Sequence, residues 1–272
     1  MALQSLRIAT AIAGASLVLA LPATGFAAGS VGVSVSPSRL TIPGGTEQTL
    51  TISNPTGRTA VIRVGLGNYD ILRNGRVVID PARTPGRSAR KWLRAKPRTL
   101  TLGPGERGRV RVAALPNRVA APGDHQALVL MSSGGRRQGR LAVQARVGVP
   151  VQVRVGGALR RNLKVHRLSL AKAGRRRVFR IGVSNRGNLN ERLPAGRVKV
   201  ELRRRGRVVA KLTARRRELL PGRSGVITVP YRGRLRGRVT AVAIVRPASA
   251  TETGPGVVAV PRPVRRAARV RL

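Results

Sequence analysis

The stretch Ser34–Val64, SVSPSRLTIPGGTEQTLTISNPTGRTAVIRV, restricts the fold more than any other part of this 272-residue chain. Leu50 and Ile52 alternate with Thr49, Thr51 and Ser53, and Ala60, Ile62, Val64 and Leu66 alternate with Val61, Arg63 and Gly65. A period of two places the apolar set on one face of a half-buried sheet. Pro43-Gly44-Gly45 and Asn54-Pro55 supply the backbone angles that turns between strands require. The stretch reads as the opening of a β-sandwich, and the later chain repeats its grammar.

The same alternation recurs on both sides of a glycine pair at Gly156-Gly157, read as a hinge. Residues 30–155 form a first domain. Tyr69-Asp70-Ile71 and Val77-Val78-Ile79 flank an Asn74-Gly75 hairpin signal, and Ala127 to Met131 is an apolar run that a strand buried on both faces would show. The longest alternation places Leu141, Val143, Ala145, Val147, Val149, Val151, Val153 and Val155 on one face. Pro150 interrupts its donors and predicts an edge or a bend there. Residues 160–248 form a second domain with strands near 178–183, 198–202, 208–212, 226–229 and 239–245. Three "Leu, Pro-Gly, alternating strand" units (Leu40 to Ile52, Leu102 to Val112, Leu219 to Val229) make a weak internal repeat that shared turn chemistry also explains. Residues 249–272, basic and broken by Pro255, Pro261 and Pro263, are expected to be a disordered tail.

Residues 1–27 have the form of a signal peptide. Arg7 precedes an apolar run from Ile8 to Leu21, and Gly25 and Ala27 are small residues placed for cleavage after Ala27. The run is short and rich in Ala and Gly for a membrane anchor. The expectation is an exported protein of the cell envelope or the extracellular space, without a transmembrane helix in the mature chain.

Composition narrows the chemistry. Aromatic residues are 2% of the chain, so the cores must be filled by Val, Leu, Ile and Ala. The chain has no cysteine and two histidines, His125 and His166, which leaves no basis for a metal centre, and no cofactor is expected. The net charge of +45, from 54 Lys+Arg against 9 Asp+Glu, predicts attraction to polyanions. Only six of the 54 are lysine, an imbalance that an arginine-favouring codon composition also produces. Base-stacking aromatics are nearly absent and export separates the protein from DNA and RNA, so nucleic acid is not an expected partner.

Ser36-Pro37-Ser38-Arg39-Leu40 followed by Leu50-Thr51-Ile52-Ser53-Asn54-Pro55 resembles the first strands of periplasmic pilus chaperones and related immunoglobulin folds. Trp92-Leu93, Pro97, Leu100, Pro104-Gly105-Glu106 and Leu115-Pro116 continue that order. The order is also similar to the peptidoglycan-binding domain of WxL-interacting proteins, where a turn like Pro122-Gly123-Asp124-His125 leads into an apolar strand. The resemblance covers about residues 31–155. In the second domain, Val183 to Asn188 and Leu220-Pro221-Gly222 resemble adhesion-type immunoglobulin-like domains of bacterial surface proteins. WxL-interacting proteins usually end in a membrane helix, which has no counterpart here. The resemblance implies an all-β fold of two tandem immunoglobulin-like β-sandwich domains after a cleaved signal peptide. For a pilus chaperone it also implies β-strand addition to a client, whose terminal carboxylate is anchored by basic cleft residues; the sequence does not single these out among so many arginines.

No catalytic constellation emerges, and the expectation is a protein that is not an enzyme. The acidic residues are thinly spread. Asp124 and His125 are neighbours on a strand and point to opposite faces, which suits a turn cap better than a catalytic pair. His166 reads as a solvated surface residue. Two binding surfaces are candidates. The arginine runs at turns, comprising Arg136, Arg137, Arg175, Arg176, Arg177, Arg203, Arg204, Arg205, Arg215, Arg216 and Arg217, could hold the carboxylates or phosphates of a wall polymer. Alternatively, Val147, Val149, Val151 and Val153 could lie on a strand that pairs with a partner, or simply pack on the first core. The reading that results is attachment to acidic cell-wall polymer or to an envelope surface protein. The alternative is a periplasmic-type chaperone that binds pilus-like subunits by β-strand addition.

Overall fold

A computed structural model describes residues 32–133, 136–138, 141–143, 146–174, 176–247 and 262–272, with the side chains of 136–138 and 141–143 not described. The signal-peptide segment therefore lies outside the described residues. The first half of the chain folds into β1 (Ser34–Ser36), β2 (Leu40–Pro43), β3 (Glu47–Ser53), β4 (Ala60–Gly67), β5 (Tyr69–Ile71), β6 (Val77–Ile79), β7 (Leu93–Lys96), β8 (Thr99–Leu102), β9 (Arg107–Ala114), β10 (Gly123–Ser133), β11 (Arg136–Gln138), β12 (Leu141–Val143) and β13 (Arg146–Val155). One 3-10 turn at Arg90–Trp92 precedes β7.

Two sheets face each other, one ordered β1-β3-β9-β7 and the other β2-β13-β10-β4-β8. The period of two resolves as the alternation requires. Leu50, Ile52, Val110 and Val112 of one sheet meet Ile62, Val129, Val151 and Val153 of the other in a core whose buried residues are all aliphatic or Met, with Trp92 packed partly against it. The chain changes sheets between Ser36 and Leu40, so that β2 runs parallel to β13 while its neighbours pair antiparallel. The β5–β6 hairpin turns at Asn74-Gly75, with Gly75 at φ +96°. β10 is buried on both faces for two different reasons. Ala127, Val129 and Met131 enter the sandwich core, whereas Leu128 turns outward into a small cluster with Tyr69, Ile71 and Leu220.

The second half contains β14 (Leu163–Ala173), β15 (Arg176–Asn185), β16 (Glu191–Leu193), β17 (Val198–Arg204), β18 (Arg207–Thr213), β19 (Arg217–Leu219), β20 (Ser224–Tyr231), β21 (Arg238–Val245) and β22 (Val264–Arg271). Sheets ordered β14-β15-β20 and β18-β17-β21-β22 enclose a second core, in which Phe179 meets Tyr231 edge-on at 6.3 Å.

β22 corrects one expectation: residues 264–271, assigned to a disordered tail, pair with all of β21. Val264, Ala268 and Val270 pack against the core and Leu272 is buried. The alternation was present but interrupted by the exposed Arg266, and four arginines within residues 264–272 obscured it.

Candidate functional site

Two features of this fold could engage a partner: an incompletely paired strand edge and a polar junction between the sandwiches. β10 pairs with β13 along all of Arg146–Val155. On its other side β13 meets β2 only from Val151 to Arg154. Residues 146–150 therefore present an open edge, with no strand paired to it among the described residues, and Pro150 stands where that edge gives way to β2. Of the four valines proposed as partner-facing, Val149, Val151 and Val153 are buried in the core and Val147 packs partly against it. What β13 offers outward at this edge is backbone; the valine side chains belong to the sandwich.

Arg39, immediately before β2, stands beside the end of this edge. Its guanidinium grips the carboxylate of Glu218 on β19 in a two-point ion pair, Nη1–Oε1 2.8 Å and Nη2–Oε2 2.7 Å. The Asn190 side-chain amide donates to the same carboxylate and, at 3.3 Å, to Gln152 Oε1, which also accepts from Arg192 Nη2 at 3.0 Å. Tyr69 is buried alongside. Burial, and then the negative charge of Glu218, push its phenol up to about 12, against the opposing pull of Arg39 and Arg192.

A second tie starts at Asp124, 1% exposed. Its carboxylate accepts from Arg154 Nε at 2.8 Å and Nη2 at 3.1 Å, and from the backbone N–H of Asn190 at 2.7 Å. The Asp124 N–H donates to the Asn188 carbonyl at 2.7 Å. Gly123 makes this approach possible. At φ +112°, a Cβ here would lie 2.3 Å from that carbonyl, so no other residue fits. The β5–β6 hairpin adds a third tie: Val226 N–H donates to the Arg73 carbonyl, and Arg223 pairs with Asp70. The intervening segment is pinned as well. Arg161 and Glu191 form an ion pair of 2.8 Å with side chains 4% and 0% exposed, and Asn188 exchanges hydrogen bonds with Arg160. The glycine pair read as a hinge thus leads into a segment held by hydrogen bonds. Asp70, Asp124, Glu191 and Glu218 are four of the nine acidic residues in the sequence, and all four serve this junction or the segment leading to it.

The arginine runs do not form one surface. Arg217 is committed to the junction, donating to the carbonyls of Leu72 at 3.1 Å and Arg73 at 2.8 Å, which removes it from the set available to a polymer. Arg203 pairs with Glu201. Arg205 lies in the β17–β18 turn, and Arg215 and Arg216 are exposed between β18 and β19. Arg176 and Arg177 do gather with Arg232, Arg234 and Arg236 around one recess, and Arg204 joins them through a hydrogen bond to the Arg236 carbonyl. Arg175 and the side chains of Arg136 and Arg137 lie outside the described residues.

Asp124 and His125 diverge as neighbouring strand residues must. His125 sits against Trp92, ring centroids 4.5 Å apart, with Nε2 2.8 Å from the Ala121 carbonyl. Burial, with the nearby Arg87 guanidinium, holds its pKa below the ordinary imidazole value against the raising effect of Ala121. No group of three potential metal ligands occurs among the described residues, and no helix there is long and apolar enough to cross a membrane.

The residues of the junction escaped the sequence reading because each partner lies far away in the chain. One signal was present: in so arginine-rich a chain, every carboxylate is a rare counter-charge.

No protein-family model matches the sequence, and no curated protein matches it. Solved structures do. The class 5 fimbriae chaperone CfaA superposes with a TM-score of 0.50 at 9% identity, covering 86% of this chain and 98% of its own. A chaperone–tip adhesin complex of CFA/I fimbriae biogenesis gives 0.50 at 8% identity, over 86% and 97%. At such identities the likeness establishes the fold: a chain of immunoglobulin-like β-sandwiches arranged as in the fimbrial chaperones.

Proposed function

We propose that the protein is an exported, non-enzymatic envelope chaperone that holds a client subunit by adding the client's strand to the open edge of β13. The observation that carries this reading is the pairing deficit: β10 covers ten residues of β13, and β2 covers only the last few. An unpaired row of backbone donors and acceptors beside a packed apolar stripe is the substrate of β-augmentation. A client strand lying in line with β2, and running in its direction, would end beside Arg39. There the client's terminal carboxylate could exchange with that of Glu218 in the guanidinium fork. That the fold is the one fimbrial chaperones use supports the same reading.

Attachment to acidic wall polymer is the second reading, favoured by one observation: the recess ringed by Arg176, Arg177, Arg232, Arg234 and Arg236, which make no ion pairs among the described residues. The two readings separate on retention of residues 28–272 on envelope from the source organism, with salt titrated. A client held by strand pairing persists at high salt, is displaced by a strand peptide, and is lost in Val147→Asp. Retention on protein-free wall that salt abolishes and Val147→Asp leaves intact would overturn the chaperone reading, since exposed charge contacts are screened. Val151→Asp is unsuitable for this test, because Val151 is wholly buried.

A further inference from the structure

The outer face of the second sandwich carries an arrangement that neither reading uses. Lys164 on β14 stands opposite Ser184 on β15, and Ser184 opposite Ser224 on β20. Directly opposed residues share a face, and Val165, Val183 and Ile227 on the same strands fill the core, so this row points outward. The Ser184 and Ser224 hydroxyls are 2.8 Å apart, and His166 Nδ1 lies 3.3 Å from Ser184 Oγ.

His166 is placed there by two features of the backbone. The β14–β15 register slips between Val165 and Arg167, a bulge of the kind that re-aims a side chain. Across from the bulge, Gly182 leaves space for the ring, since a Cβ there would lie 2.5 Å from Nε2. With Nδ1 protonated, the hydrogen bonds run from His166 through Ser184 to Ser224, whose own hydroxyl is then free to donate outward. The tip of the β5–β6 hairpin walls this row into a recess of about 510 Å3, which Arg186 and Arg223 also line. Asp70 neutralises Arg223, whereas Lys164, Arg186 and Arg73, which also lines the recess from the hairpin, have no ion-pair partner among the described residues.

We propose that this recess is a binding site for a phosphate-class oxyanion. Lys164 and Arg186 would supply the charge, and Ser224, oriented through Ser184 and His166, would supply a directed hydroxyl. Uncompensated cations over converging hydroxyls match the acceptor-rich, multiply charged form of a phosphate group. The hydroxyl row, Lys164 and Arg186 are on the second sandwich, the β5–β6 hairpin of the first closes one side, and the site does not depend on the β13 edge.

The test must separate a built site from the diffuse attraction of a strongly cationic protein. Inorganic phosphate is titrated calorimetrically into residues 28–272, into Lys164→Met, and into Lys172→Met. Lys172 is exposed on the same strand and does not line the recess, so both variants lose one charge. The expected result is one saturable site, weakened about tenfold in Lys164→Met and in Ser224→Ala, and unchanged in Lys172→Met. Vesicles of phosphatidylglycerol run in parallel distinguish a lipid headgroup from the free ion by which of them shows the Lys164-specific loss. Equal weakening by the two lysine variants, or no Lys164-specific loss with either probe, would overturn the proposal.

Discussion

Arg39 and Glu218 lie 179 residues apart in the chain and meet in a two-point ion pair that ties β2 of the first sandwich to β19 of the second. The pair is partly shielded, with side chains 28% and 18% exposed. Replacing Glu218 by Gln keeps the shape and removes the charge. It is expected to lower unfolding free energy by about 2 kcal/mol, as for loss of a charge-assisted hydrogen bond. Chemical denaturation measures it, and Arg39→Ala should show a similar loss, with the double variant far from additive.

The same carboxylate sets a pH limit through Tyr69. Its phenol is pushed up to about 12 by burial and then by Glu218, so the folded state holds its proton where the unfolded chain has released it. Stability from this group is complete below pH 10, falls between about 10 and 12, and amounts to roughly 3 kcal/mol. In Glu218→Gln, ultraviolet titration of the phenols should show Tyr69 ionising at lower pH.

His125 works in the opposite direction. Burial, reinforced by Arg87, lowers its pKa in the folded state, so the unfolded chain binds the proton more readily. Its contribution is present above the unfolded value near 6.5 and is lost as pH falls below it. Melting temperature should therefore decline from pH 7 to pH 5, and His125→Gln should flatten that slope.

Much of the fold was legible because period-two alternation survives in short strands. Leu50, Ile52, Ile62 and Val64 are buried as their spacing requires. The weak internal repeat also has a structural basis in two of its three units. Asn54 follows β3 and donates to the carbonyls of Leu102 and Gly103, while Asn185, at the end of β15, donates to that of Leu219. Each asparagine thus fastens a Leu-then-Pro-Gly turn, once in each sandwich. The junction was not legible, since Asp124, Asn190 and Arg154 acquire meaning only from pairings across the fold. β22 failed for another reason: arginine on an outward strand face resembles arginine in a tail.

The turn asparagines should be among the most sensitive polar positions. Asn54 is 0% exposed and its amide nitrogen also serves the Arg58 carbonyl, while its oxygen accepts from Thr56. Asn54→Ala and Asn185→Ala leave buried carbonyls without donors and should each cost about 3 kcal/mol. Asn54→Asp should cost more, because a carboxylate places acceptors against acceptors.

Asp124 is the strongest test of whether the sandwiches act as one body. Its carboxylate is held by Arg154 and by the Asn190 N–H, and the neighbouring Gly123 admits the Asn188 carbonyl. Asp124→Asn retains the volume but strips a buried charge partner, which should destabilise by about 3 kcal/mol. The cores on either side are built from separate residues, so the loss should fall first on the junction. Limited proteolysis then should cut near Gly156-Gly157 and release two protected fragments, while the parent protein resists. Gly123→Ala, which drives a methyl group into the same contact, should reproduce the pattern. If both variants instead unfold in one step with no protected fragments, the junction is part of a single cooperative unit and the sandwiches lack independent stability.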